Sequence, residues 1–325
     1  GERGTQIDTA ARRVVGEKGS VKYDKLILAT GSDPFIIPLP GHDLKGVIAY
    51  RDLEDTQAML DLPEDARVVV IGGGLLGLEA AAGIAVRGIK VTVVHLMGHL
   101  MERQLDPEAA GLLQTSLEAK GIDINCSADS ECILGDNGRA TALRLKDGRE
   151  LPCDLLVMAV GIRPAVSLAR DAGLKTERAI IVDDQMRSSE PDIFALGECV
   201  EHRGALFGLV APLYDQAQVL ADTLLGQEAC FTQKSLATKL KVTGCDLFSA
   251  CVFADGVGRV NGFYRVPSAG IYKRLVIEND RLIGAVLYGD TADGTWFFDL
   301  IQDQSDIGAM RETLIFGPAY NEDGG

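Results

Sequence analysis

Arg67-Val68-Val69-Val70-Ile71, then Gly72-Gly73-Gly74-Leu75-Leu76-Gly77, then Leu78-Glu79-Ala80-Ala81-Ala82 is the stretch on which the reading of this chain turns. The first block predicts a buried strand and the last a helix, with glycines between them at 72, 74 and 77. Each glycine has a job. Gly72 lets the strand turn sharply, Gly74 lets backbone approach a pyrophosphate, and Gly77 lets helix pack closely on strand. The amides of Gly73, Gly74, Leu75 and Leu76, at the positive end of the helix dipole, are placed to hold phosphates. A second apolar strand, Lys90 to Val94, follows at the expected distance, so the unit predicts dinucleotide binding.

The residue ending that second strand is normally acidic where a ribose is held, and here it is His95. Neutral imidazole accepts from a ribose hydroxyl and protonated imidazole pairs with a 2′-phosphate, so the position does not choose between NADH and NADPH. Arg103 has two readings, phosphate partner or plain surface charge. Glu79, expected on the first turn of the cofactor helix, either touches the nicotinamide amide or is a carboxylate stabilised by the helix N-terminus.

Outward from this core, Ile7 to Ala29 reads as short strands broken by a turn at Gly16 to Ser20, ending in Leu26-Ile27-Leu28-Ala29 and the turn Thr30-Gly31. Pro34, Pro38 and Pro40 punctuate a linker. Asp52 is the expected N-cap of a helix over 53–60, and a further helix is expected over about 106–120. From Ser130 to Val160 the turn signals Gly135-Asp136-Asn137-Gly138 and Asp147-Gly148 predict an antiparallel meander, returning through the apolar run Leu155 to Val160 to Gly161. A strand at Ile193 to Leu196 reaches Gly197-Glu198, and a helix covers about 212–225. Beyond Gln227, hairpins predominate, the clearest around Asn279-Asp280, with a short helix near Trp296. The expected architecture is α/β and doubly wound, with 1–36 and 161–228 as one discontinuous domain, 37–160 as the nucleotide-binding domain and 229–325 as a small α+β domain.

Composition narrows the function. With 32 Lys and Arg against 47 Asp and Glu, the net charge of -15 disfavours nucleic acid and anionic lipid as partners. No apolar run reaches membrane-spanning length, so no membrane partner is expected. The first residues carry no signal-peptide pattern, which makes the cytoplasm the expected location. The seven cysteines are scattered without a CxxC, and the pairs Cys126/Cys132 and Cys245/Cys251 read as packing rather than as a metal or cluster site. No catalytic nucleophile or general base stands out among the four dispersed histidines.

Four motifs in order, Ala29-Thr30-Gly31, the loop at 72–77, Ala159-Val160-Gly161-Ile162-Arg163-Pro164 and Ile193-Phe194-Ala195-Leu196-Gly197-Glu198, resemble the two-dinucleotide-binding-domain flavoprotein reductases of the glutathione reductase type. The wording of Tyr23 to Pro34, His95-Leu96-Met97, Leu100 to Asp106, Gly197-Glu198-Cys199 and Leu240-Lys241-Val242-Thr243-Gly244 is similar to the nitrite reductase large-subunit branch. That resemblance implies hydride transfer from NAD(P)H to FAD, with electrons passing to iron-sulfur and sirohaem domains of the same polypeptide that reduce nitrite to ammonium. It implies that Ala29, Thr30, Gly31, Val160, Gly161, Gly197 and Glu198 line the cofactor sites, Glu198 binding the ribityl chain or phosphate of FAD. The helix beginning near Ala211 would point its N-terminus at the flavin. The loop for the ADP half of FAD is expected before residue 1 and the cysteine-rich segments after residue 325, which makes the chain a fragment; a homodimer is a further expectation. Two other readings stay open, a free-standing rubredoxin or ferredoxin reductase and a nucleotide-binding fragment without activity.

Overall fold

Val68 to Ile71 are buried on both faces because their strand is the middle one of a five-stranded, all-parallel sheet. In the computed structural model the order across this sheet is Val47–Ala49, Leu155–Met158, Arg67–Ile71, Lys90–Val94 and Ile122–Asn125. The structure describes residues 1–234, 237–242 and 244–321, so Thr243 of the Leu240 to Gly244 wording lies outside the described residues. By internal contacts the chain forms two compact units, one of residues 1–34 with 161–234 and one of residues 35–160 with 235–325.

In the second unit the helix Leu75–Ala85 buries Gly77, Leu78, Ala80, Ala81, Ala82 and Ile84, its small side chains letting it lie close to the sheet. The helix Pro107–Glu118 starts where the sequence predicts, with Asp106 accepting from the amides of Glu108 and Ala109 and proline in the first turn. Asp52 likewise caps Leu53–Leu60, and Asp55 bonds back to the cap amide to complete a capping box. The meander is built from Ser130–Asp136, Arg139–Leu145 and Glu150–Pro152. Its first turn has Asn137 and Gly138 at φ 50° and 77°, the left-handed pair that a two-residue hairpin requires.

The C-terminal part of this unit is an antiparallel sheet in the order Ala237–Val242, Cys245–Cys251, Arg281–Tyr288, Ile271–Glu278, Arg259–Val266. The hairpin turn is at Asn279-Asp280, φ 51° and 52°. One face packs on the helix Gly294–Gln302 through Phe248, Leu275, Leu287, Phe297 and Ile301. The other contributes Cys245, Leu247, Tyr272, Val286 and Tyr288 to the same buried cluster as Leu78, Met101, Leu113 and Leu117. Those four are wholly buried, and truncating one such leucine to alanine costs about 2–5 kcal/mol.

The first unit holds Gly4–Asp8, Arg13–Gly16 and Ser20–Lys22 as a small antiparallel sheet. Leu26–Leu28 runs parallel to Ile193–Ala195, and Ser32–Pro34 pairs antiparallel with Ile162–Pro164. Its core gathers Leu28, Ile180, Ile193, Ala195, Cys199, Val200, Phe207 and Leu220, the last from the helix Val210–Leu224.

Candidate functional site

Gly72 turns the central strand into the helix with φ 125°, and a Cβ there would lie 2.2 Å from the Ala159 carbonyl oxygen. At Gly77 a Cβ would meet the Gly72 carbonyl oxygen at 2.0 Å, so the first and last glycines are fixed by backbone crowding. Gly74 differs: apart from its two chain neighbours and the helix's own backbone, nothing among the described residues lies within 4 Å of the Cβ position. It is the N-cap of Leu75–Ala85 and offers no side-chain cap, leaving the first-turn amides of Leu75, Leu76 and Gly77 to an outside acceptor. This is the shape expected of a pyrophosphate seat.

His95 follows Lys90–Val94 and sits directly against this loop. Its Nδ1 accepts from the Gly73 amide at 3.1 Å, and its Nε2 bonds Glu102 Oε2 at 3.0 Å. With Nδ1 an acceptor, the neutral ring carries its proton on Nε2. Both ring nitrogens are therefore engaged within the loop, where the sequence allows His95 a ribose hydroxyl or a 2′-phosphate as partner. The Met101 amide donates to the Gly73 carbonyl at 2.9 Å, with Met101 at φ 50°, so the segment after His95 folds back onto the glycine turn. Arg103 is exposed and its Nε lies 3.8 Å from Glu102 Oε1.

The helix begins at Leu75, which puts Glu79 beyond the first turn expected from the sequence, away from the uncapped end. Its carboxyl is half-buried, and burial holds its pKa above the ordinary carboxylate value. A helix-stabilised carboxylate would shift the other way.

In the first unit, the parallel pairing of Leu26–Leu28 with Ile193–Ala195 sets two glycine turns side by side at the carboxyl ends of their strands. One is Ala29-Thr30-Gly31, where Thr30 Oγ1 donates to the Ala165 carbonyl at 2.7 Å and Gly31 has φ 67°. The other is Gly197-Glu198, with Gly197 at φ 95°. Ser32 Oγ donates to Glu198 Oε2 at 2.6 Å, tying the turns together. The Gly197 amide donates to Gln216 Oε1 at 2.8 Å, which joins this corner to the helix carrying Ala211. Gln216 is wholly buried, and its Nε2 has no hydrogen-bond partner among the described residues. That helix starts at Val210 with no side-chain cap, and Ala211 is exposed on its first turn. Gly161, at φ 109°, opens the second half of this unit, while Val160 packs beside the Val69 and Met158 cluster of the other. Ser32, Gln216 and Glu102 were not singled out from the sequence; none carries a local signal, since each acts through a partner distant in sequence or through a backbone turn.

A sequence profile for pyridine nucleotide-disulphide oxidoreductases matches residues 1–219. The chain belongs to that family. The family is one of FAD-dependent NAD(P)H oxidoreductases, so the resemblance read from the four motifs holds, as does the α/β fold class. A second profile, the rubredoxin NAD+ reductase C-terminal domain, matches residues 237–305. Over 322 residues the chain is 45% identical to nitrite reductase [NAD(P)H] of Bacillus subtilis, covering 98% of this chain and 40% of that protein. It is 42% identical to the assimilatory nitrate reductase electron transfer subunit of the same organism, over 97% of this chain and 41% of that protein. The chain thus spans about two fifths of these relatives. Among solved structures, a FAD-dependent pyridine nucleotide-disulphide oxidoreductase from Desulfovibrio vulgaris matches with a TM-score of 0.84 at 28% identity, over 97% of this chain and 86% of that one. Among the described residues no helix is long and apolar enough to cross a membrane.

Proposed function

We propose that this chain is the electron-input module of a nitrite reductase, taking a hydride from NAD(P)H to FAD in the cytoplasm. The observation that carries this reading is the Gly72 to Gly77 turn, closed to side chains at its ends, open at Gly74, and followed by uncapped amides. Gly73, Gly74, Leu75, Leu76 and Gly77 would hold the pyrophosphate of the nicotinamide dinucleotide, with Glu79 toward the nicotinamide amide. Ala29, Thr30, Gly31, Gly197 and Glu198 fit the flavin end of FAD, because their turns converge at one sheet edge and the orphaned Nε2 of Gln216 leaves a donor there to be satisfied. When bound, FAD accepts the hydride that the nicotinamide gives up. The amides at Val210 and Ala211 would favour negative charge at that end.

Electrons would pass on to iron-sulfur and sirohaem domains of the same polypeptide, where nitrite is reduced to ammonium. The 45% identity to a nitrite reductase over 98% of this chain supports that destination. A homodimer is compatible with this role. The match of residues 237–305 to the rubredoxin reductase C-terminal domain favours a second reading, delivery to a small redox protein such as rubredoxin.

The test is anaerobic mixing of the chain and excess FAD with NADH or NADPH, following oxidised-flavin absorbance. Bleaching that saturates with nucleotide supports the proposal, and a rate no faster than free FAD gives contradicts it.

A further inference from the structure

Building on the reading of 72–77 as a nucleotide seat, we infer that Glu102 is the residue that makes this site choose NADH over NADPH. A ribose reader is needed where Lys90–Val94 ends beside the glycine loop. His95 stands there, but its Nδ1 is spent on the Gly73 amide and its Nε2 proton on Glu102. The imidazole is a strut between the loop and a carboxylate. That carboxylate is delivered by the chain's return: Met101 donates to the Gly73 carbonyl and, in a left-handed conformation, turns the backbone just before Glu102.

The Glu102 side chain is 25% exposed, neither sealed in nor free in water. His95 fixes Oε2, while Oε1 is 3.8 Å from Arg103 Nε, too far for a hydrogen bond. Oε1 thus keeps acceptor capacity at the position where ribose hydroxyls donate. A 2′-phosphate would bring a second anion against it and supply no donor. Arg103 is a neighbouring cation that opposes this choice, but its side chain is 86% exposed, where screening by water and salt weakens its field.

The experiment is titration of the 325-residue chain and its E102Q and R103A variants with NADH and with NADPH. Glutamine keeps an acceptor for His95 Nε2 and removes only the charge, and thermal melting checks that the variants fold. The parent should favour NADH by about tenfold or more, and E102Q should bring the two within roughly threefold, mainly by tighter NADPH binding. An unchanged ratio in E102Q overturns the inference while leaving the nucleotide seat standing. So does a parent that prefers NADPH and loses the preference in R103A, which would make Arg103 the reader. Binding of neither nucleotide by the folded parent removes the inference and the proposed function together.

Discussion

Gly73 is held without a side chain by His95: a Cβ at position 73 would lie 2.7 Å from His95 Cγ and 2.8 Å from Leu100 Cδ2. The motif itself does not ask for glycine at this place, so the requirement comes from the imidazole packed behind the loop. Gly73→Ala must push the ring or Leu100 away, and should destabilise the protein by about 1–3 kcal/mol. Chemical unfolding of the two proteins measures it. An alanine variant as stable as the parent would mean that the ring moves without cost.

Glu79 makes a prediction of opposite sign. Burial raises its pKa, so the folded state pays to keep the carboxylate charged at neutral pH. Glu79→Gln should melt above the parent at pH 7, and the gap should close as pH falls through the raised pKa, vanishing near the ordinary value of 4.5. The same variant should bind nicotinamide dinucleotide less tightly, stability having been given up for a polar contact. A lower melting temperature at pH 7 would show that the carboxylate stabilises the fold.

Asp184 should contribute to the acid limb of stability. It accepts from Arg203 Nε and Nη2 and from His202 Nε2, and the arginine first, then the histidine, lowers its pKa from 3.8 to about 2. A depressed carboxylate stabilises above its unfolded pKa, and that contribution is lost as pH falls through the folded one. Unfolding midpoints should therefore drop between about pH 4 and about pH 2 more steeply in the parent than in Asp184→Asn. Parallel curves for the two proteins would remove this carboxylate from the acid transition.

Much of this was legible because the signals are local. Asp52 announces its helix, Asn279-Asp280 its hairpin, and the 67–82 run contains strand, turn and helix within one short span. The parallel partners of Ala29-Thr30-Gly31 and Gly197-Glu198 could be matched by motif order alone, and the pairing of Leu28 with Ala195 puts them at one edge. What escaped depends on backbone turns and long-range packing. Nothing in the letters says that Met101 takes a left-handed conformation and carries Glu102 back to His95. Nor do they reveal that Gln216 reaches the Gly197 amide from a helix, or that Tyr272 and Leu247 share a core with Leu113. Three successive glycines leave the first turn of the cofactor helix unmarked, so nothing in the letters places Glu79 beyond that first turn.

Gly74 gives the most direct test, since the protein leaves open the space that a side chain there would fill. Its φ of -89° suits any residue, so Gly74→Val should cost the fold no more than about 1 kcal/mol, the difference expected at an N-cap. The side chain would stand where pyrophosphate must approach the amides, weakening NADH and NADPH alike by a few kcal/mol, roughly a hundredfold. Calorimetric titration of parent and Gly74→Val, with melting curves alongside, is the deciding measurement. Near-parental melting with nucleotide affinity lost is the expected result; a variant that binds both nucleotides as the parent does would contradict the assignment of 72–77 as the nucleotide seat.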